Sequence, residues 1–507
     1  MTKRLRKIVI LLVVLVALCV ATVLVSFYNE KQEQIQNSNE IILAISTDSV
    51  SSVSWEIDDA TLGFTLDSET GSWLYDDDSG FPTSTSEIEN LLSIFEEYEA
   101  DFIIEEVDDY SQYGLDDPVM TINITLDDET SYEITLGNFS TLDSERYISI
   151  GDGNVYLAVV DPYDTYDVEL SDMIEDDTIG SFTEAVELTF TGVENYSIYF
   201  EADSTNTYCS DDTYFVSDSD LPLDTDNIET YLGYIRNTGL STYVTYNATD
   251  DELELYGMNN PVLTITVDYP VTETDDDGEE TTTTETVTLT IGVNQDELTE
   301  AQEALEDSED EDAEVDISSL SLYVRINDSQ IIYELASNRY NYLIACSYDD
   351  FRHAEVLTAD YSSIYQLDFI IEDVTYTIYS ELSDPDDEES DRVYYYYYDG
   401  EVIDADSLDD DDDISNYRVE VDIDDIDDIE SAIDAVTAES YTDEEADGKL
   451  ELSFTAYLDN ENYPEVTVEL YRYDGTYCLA VINGEPTSLV TRSSVVDLIE
   501  TINSIVL

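Results

Sequence analysis

Histidine is almost absent from this chain: there is one in 507 residues, His353. A Ser-His-Asp or Cys-His arrangement would have to be built on it. It sits in "DDFRHAEVL", and no nucleophile motif such as GxSxG accompanies it. The expectation is an exposed linker histidine. Cysteine is nearly as scarce. Outside an N-terminal apolar run only Cys209, Cys346 and Cys478 occur, and none belongs to a CxxC pair. That sparse, odd set excludes a disulfide framework and, with one histidine, a zinc site. Free, buried thiols are expected instead. No P-loop and no GxGxxG occurs either.

Positive charge is the next deficit. Against 122 acidic residues stand 15 basic ones, for a formal net charge of -107. Four of the fifteen, Lys3, Arg4, Arg6 and Lys7, crowd into the first seven positions. A surface this negative repels phosphate backbones and excludes nucleic-acid binding. It also avoids anionic headgroups and favours cations or basic partners. Calcium needs only oxygen ligands. "TDDDGEE" around Asp275–Asp277 and the run Asp409–Asp413 supply them, but neither has EF-hand spacing. Diffuse association of calcium or other cations is expected rather than a defined site. Paired carboxylates for glycoside hydrolysis carry no signal among so many acids. The sequence therefore assigns no catalytic residue, no cofactor-binding residue and no metal ligand, and predicts no enzyme.

What the chain does have is apolar material: 42% hydrophobic residues and 41 tyrosines. Disorder needs low hydrophobicity as well as high charge, so packed domains are expected, about three at this length. The twenty residues Ile8–Phe27 carry no charge. As a helix they span about 30 Å, the thickness of a bilayer core. The basic residues before them place residues 1–7 in the cytoplasm and the bulk outside, in a single-pass membrane topology. The stretch is long for a cleaved signal peptide, and "VALC" at Cys19 is a poor lipoprotein site. An uncleaved signal anchor is the expectation, with residues 28–39 as a linker.

Beyond it the chain repeats itself. "YGLDDP" (Tyr113–Pro118) and "YGMNNP" (Tyr256–Pro261) each precede two strands, "VMTINITL" with "YEITLG" and "VLTITVDY" with "TVTLTIG". A second hairpin follows in both copies, "RYISIGDGNVYLAV" and "LYVRINDSQIIYELA". A helix precedes each hexapeptide. "SEIENLLSIFEEYEA" spaces Ile88, Leu91, Leu92, Phe95 and Tyr98 on one face, with Ser86 or a neighbour as N-cap and Glu89 at capping-box spacing. "DNIETYLGYIRNT" does the same with Ile228, Leu232 and Ile235. Short strands around Trp73 and Phe215 come before these helices. A fainter third copy places Ile426, Ile429 and Ile433 on a helix, then three strands and a closing amphipathic helix, and lacks the hexapeptide.

The predicted architecture is α+β: a transmembrane helix, then three tandem strand-rich repeats at residues 40–177, 178–352 and 353–507. Each carries one main helix packed on an antiparallel sheet. The acidic inserts "TETDDDGEETTTTET", "DELTEAQEALEDSEDEDAEVD", "SDPDDEESD" and "SLDDDDD" read as a hairpin extension and solvated loops. "VYYYYYDG" (Val393–Gly400) reads as a strand whose alternate tyrosines face core and solvent. A glycan-binding aromatic face is the alternative use of it.

The hexapeptide itself reads as a turn. Gly114 and Gly257 are free to take positive φ, Pro118 and Pro261 open the next strand, and Leu115 or Met258 plugs a core. Asp-Asp in one copy becomes Asn-Asn in the other, which acid/base chemistry would not survive.

Anchor, helix, hexapeptide, "ITLG" strand end and "YISI…VYLAV" hairpin together resemble the domain-of-unknown-function family 4340 of bacterial envelope proteins. The resemblance covers most of residues 40–352 and, more weakly, the rest. It implies an accessory extracytoplasmic role, because such proteins are often encoded beside permease and ATPase components of a gliding-motility-type ABC transport system. The expected function is a membrane-anchored accessory or scaffold protein, with an ABC permease or another envelope protein as partner. The alternative is a surface module binding glycan, wall polymer or a basic partner.

Overall fold

A computed structural model describes residues 40–57, 60–105, 107–141, 144–192, 194–275, 278–306, 315–383, 392–397 and 418–506, with Thr22 standing alone. The expected anchor, Ile8–Phe27, lies outside the described residues but for Thr22, and so do residues 1–7 and 28–39. Among the described residues no helix is long and apolar enough to cross a membrane.

Every strand pairs antiparallel, and the strands form three nine-stranded sheets. The first contains β1 (Glu40–Leu43), β2 (Val50–Ile57), β3 (Ala60–Leu66), β4 (Trp73–Tyr75), β5 (Tyr98–Ile104), β6 (Met120–Leu126), β7 (Ser131–Ser140), β8 (Glu145–Ser149) and β9 (Val155–Ala158). The second contains β10 (Glu187–Gly192), β11 (Asn195–Phe200), β12 (Tyr214–Val216), β13 (Pro222–Leu223), β14 (Tyr243–Thr245), β15 (Leu263–Thr274), β16 (Glu280–Val293), β17 (Leu322–Ile326) and β18 (Ile332–Leu335). The third contains β19 (Ile364–Ile371), β20 (Val374–Leu382), β21 (Arg392–Tyr397), β22 (Arg418–Val421), β23 (Ala438–Tyr441), β24 (Leu450–Leu458), β25 (Glu465–Arg472), β26 (Tyr477–Ile482) and β27 (Glu485–Thr491).

Their strand orders are one pattern. Sheet one runs β4-β3-β2-β6-β7-β8-β9-β5-β1, sheet two β13-β12-β11-β10-β15-β16-β17-β18-β14, and sheet three β22-β21-β20-β19-β24-β25-β26-β27-β23. Eight strands correspond one to one. The ninth differs: β1 extends the edge beside β5, whereas β13 and β22 extend the opposite edge. The third copy therefore keeps the topology without the hexapeptide. The chain divides into two compact units, Met1–Thr178 with Leu240–Thr249 and Ser329–Tyr333, and Ile179–Gly239 with Asp250–Asp328 and Glu334–Leu507.

The helix of each repeat falls between the third and fourth of the corresponding strands, counted in chain order. These are α1 (Thr85–Ser93), α2 (Thr225–Arg236) and, in repeat three, a helix at Ile423–Asp434. Their apolar residues Ile88, Leu91 and Leu92, then Ile228, Leu232 and Ile235, then Ile426, Ile429 and Ile433, are all buried. The first is shorter than its pattern predicts. Phe95 gives its carbonyl to the Ile45 N–H, and Tyr98 has already entered β5 opposite Leu43. Phe95 and Tyr98 still pack together, rings 5.2 Å apart, so helical spacing persists where the helix has ended. Its N-cap is Ser84, not Ser86, and no side chain caps it. Asp224 does cap α2, accepting from the Asn227 N–H at 3.1 Å.

The acidic segment after Gly292 is a second correction. Instead of a loop it begins with helix α3 (Gln295–Glu306). Asn294 accepts from the N–H groups of Asp296 and Glu297, and these two acids sit at the positive end of the helix dipole. Glu, Gln, Ala and Leu are strong helix formers, which charge counting ignores. Among the described residues every repeat thus holds more than one helix, repeat one adding only the single turn Tyr163–Tyr166. The closing helix at Arg492–Val506 buries Val495, Leu498 and Ile502 as its pattern predicts.

Candidate functional site

The two hexapeptides occupy the same place, just before β6 and just before β15. Gly114 and Gly257 have φ of 73° and 76°. Tyr113 packs on Tyr147 with rings 5.0 Å apart, and Tyr256 on Tyr323 at 4.6 Å. Leu115 and Met258 are buried. After each proline the next N–H joins the sheet, Val119 to the Leu136 carbonyl at 2.8 Å and Val262 to the Ile291 carbonyl at 2.9 Å. The prolines stand two residues before their strands rather than at the first strand position.

The partner of each turn is the glycine that follows β-branched strand residues. A Cβ on Gly137 would collide with the Tyr113 carbonyl oxygen, and one on Gly292 with that of Tyr256. These two glycines went unassigned in the sequence, although their recurrence at one strand end was visible there. Repeat three makes the approach the other way round: a Cβ on Gly448, before β24, would strike the Arg472 carbonyl of β25. The joint survives the loss of its motif.

In repeat two the joint opens on a cavity of about 590 Å³. Asn260 and Pro261 form part of its wall, with Phe190, Tyr196, Leu298 of α3, and Ile344. Ile344 ends a π-helical turn, Tyr340–Ile344, a geometry frequent at functional sites. Phe190 stacks on Tyr196 at 4.7 Å, and Tyr196 meets Tyr348 edge-on at 5.5 Å. Glu194 Oε2 accepts from the Tyr348 N–H at 2.8 Å, and Gln295 Nε2 donates to the Val293 carbonyl at 3.0 Å. Burial, then the charges of Asp350 and Glu194, push the Cys346 thiol up to about 12.

His353 is not an exposed linker residue. Its side chain is 20% exposed, and Nε2 lies 2.9 Å from Oδ1 of Asp212, an ion pair whose N–H points off the hydrogen-bond line. Asp212 is itself buried and accepts from Thr207 Oγ1 at 2.6 Å. Sequence reading missed this because Asp212 belongs to repeat two. Burial alone would lower the histidine pKa. The contact and charge of Asp212, then the charges of Asp224 and Glu355, outweigh it and raise the pKa above 6.5. The pair borders a cleft of about 430 Å³ that also presents Asp211, Asp226 and Asp434.

Among the described residues no group of three or more His, Cys, Asp and Glu is placed to hold a metal ion. Asp275 organises its own turn, accepting from the Glu279 N–H at 2.9 Å. Asp276, Asp277 and Asp409–Asp413 lie outside the described residues. Cys209, Cys346 and Cys478 are free, and only Cys478 is fully buried.

The tyrosine run is strand β21 as far as Tyr397. Tyr394 and Tyr396 pack toward the core of sheet three, while Tyr397 stacks on Tyr379 from the other face at 5.0 Å. There the Arg418 guanidinium lies 3.8 Å over the Tyr395 ring and donates to Glu381 at 2.7 Å. Tyr395 and Tyr397 thus each give a ring face to a neighbour within the sheet.

Fold and joint define a protein of tandem nine-stranded α+β sheets built around a repeated turn. Residues 73–198 match the family model described as Domain of unknown function (DUF4340), and the chain resembles that family over this stretch. The match runs from β4 through β9 and into β11. Comparison with curated proteins and with solved structures gave no match.

Proposed function

We propose that this chain is an extracytoplasmic accessory or scaffold protein, held to the membrane by Ile8–Phe27, that acts by binding rather than by chemistry. The observation that carries the reading is the joint. The motif most open to a chemical reading, present twice, is consumed by turn geometry in both copies. A scaffold also accounts for three sheets that share eight corresponding strands while the loops and the ninth strand vary. The charge pattern at the N-terminus supports export of the bulk. The resemblance to that family supports a partner class, the permease of an ABC-type transport system.

The test is affinity capture of the tagged full chain from crosslinked membranes, with quantitative mass spectrometry. Enrichment of permease subunits over an anchor-only control is the expected result. Equal recovery of permease by the anchor alone would overturn the reading.

A further inference from the structure

The cavity beside the repeat-two joint is poor in charge within a chain dense with carboxylates. Acids make up 122 of 507 residues. Among the described residues seventeen line the cavity and one of them is charged, Glu194, which is engaged by the Tyr348 N–H. The rest of the wall is uncharged and mostly apolar, and the cavity volume lies in the range of small-molecule sites. Its other polar groups are uncharged: the amides Asn260 and Gln295, the Ser347 hydroxyl, the Cys346 thiol and the phenols of Tyr196 and Tyr340. Asn260 is informative: the matching hexapeptide position in repeat one is Asp117. The turn accepts either residue, and the amide stands where the cavity is. A charged group entering would lose its hydration against apolar walls. An anion would also face Glu194, with Asp350 nearby.

We propose that this cavity binds an uncharged amphiphile, its apolar body among Phe190, Tyr196, Leu298 and Ile344 and its hydrogen-bonding end at Asn260 and Gln295. This goes beyond the scaffold reading and does not depend on which protein is the partner.

Cys346 lines the cavity and serves as a reporter; Cys209, in the other cleft, is the internal control. The full chain is placed in bilayer nanodiscs and alkylated with N-ethylmaleimide at mildly alkaline pH. Rates at each cysteine are read by peptide mass spectrometry. Monolaurin, an uncharged glycerol ester, should slow Cys346 saturably and leave Cys209 unchanged. Laurate, the anion with the same hydrocarbon chain, should need about tenfold or more higher concentration, a difference of about 1.4 kcal/mol. Leu298→Trp fills the cavity from a half-buried position and should abolish the monolaurin effect. Asn260→Asp, which copies repeat one and so keeps the turn, should weaken laurate further. Three results would each overturn the proposal: no protection by monolaurin, equal protection by laurate, or parallel slowing at Cys209.

Discussion

At Gly137 a hydrogen atom faces the Tyr113 carbonyl, and at Gly292 the same contact recurs with Tyr256. Alanine at either place forces backbone apart, and we predict a loss of about 1–3 kcal/mol in chemical denaturation. Gly114→Val should cost a similar amount, because a β-branched residue is forced to positive φ. Gly475→Ala is the control: open space surrounds it and its φ is unexceptional, so a change within about 0.5 kcal/mol is expected. His353 gives a residue-scale prediction of a different kind. Its folded pKa is raised, so its stabilisation is complete below the unfolded value of 6.5 and fades as pH rises through the folded value. Melting temperature of the native protein, relative to His353→Gln, should fall as pH rises from below the unfolded value of 6.5 through the raised folded value. Parallel curves would show that the Asp212 pair contributes nothing.

Among the helices, capping separates two that otherwise look alike. Asp224 bonds the Asn227 N–H, whereas Ser84 makes no cap bond. Asp224→Ala should therefore cost about 1 kcal/mol and Ser84→Ala much less, both read from denaturant melts. The apolar faces of these helices were legible because Ile228, Leu232 and Ile235 repeat at 3.6-residue spacing. The end of α1 was not, since Phe95 and Tyr98 continue that spacing after β1 has captured the backbone. Helix α3 was hidden by its charge. The hexapeptide turn was legible from glycine and proline chemistry, while the role of its glycine partners at 137 and 292 was not: both recur at one strand end, but the carbonyl they face approaches from another segment. For the same reason the cavity walls, drawn from β10, α3 and the π-helical turn, could not be assembled from sequence.

Across the whole molecule the dominant quantity is charge. At -107, repulsion among surface acids should destabilise the fold at low ionic strength. Physiological salt shortens the screening length to about 8 Å. The segment from Glu40 onward should therefore melt at higher temperature as NaCl rises. Calcium should act at lower concentration, with a graded effect that fades in high NaCl. A saturable calcium effect that survives NaCl would instead mark a defined site. The proposed accessory role requires this acidic bulk to lie outside the membrane. Protease added to intact, wall-stripped cells measures that directly. The account predicts digestion of everything beyond the anchor, leaving a short membrane-bound N-terminal remnant. Full protection of the chain until the membrane is breached would contradict it.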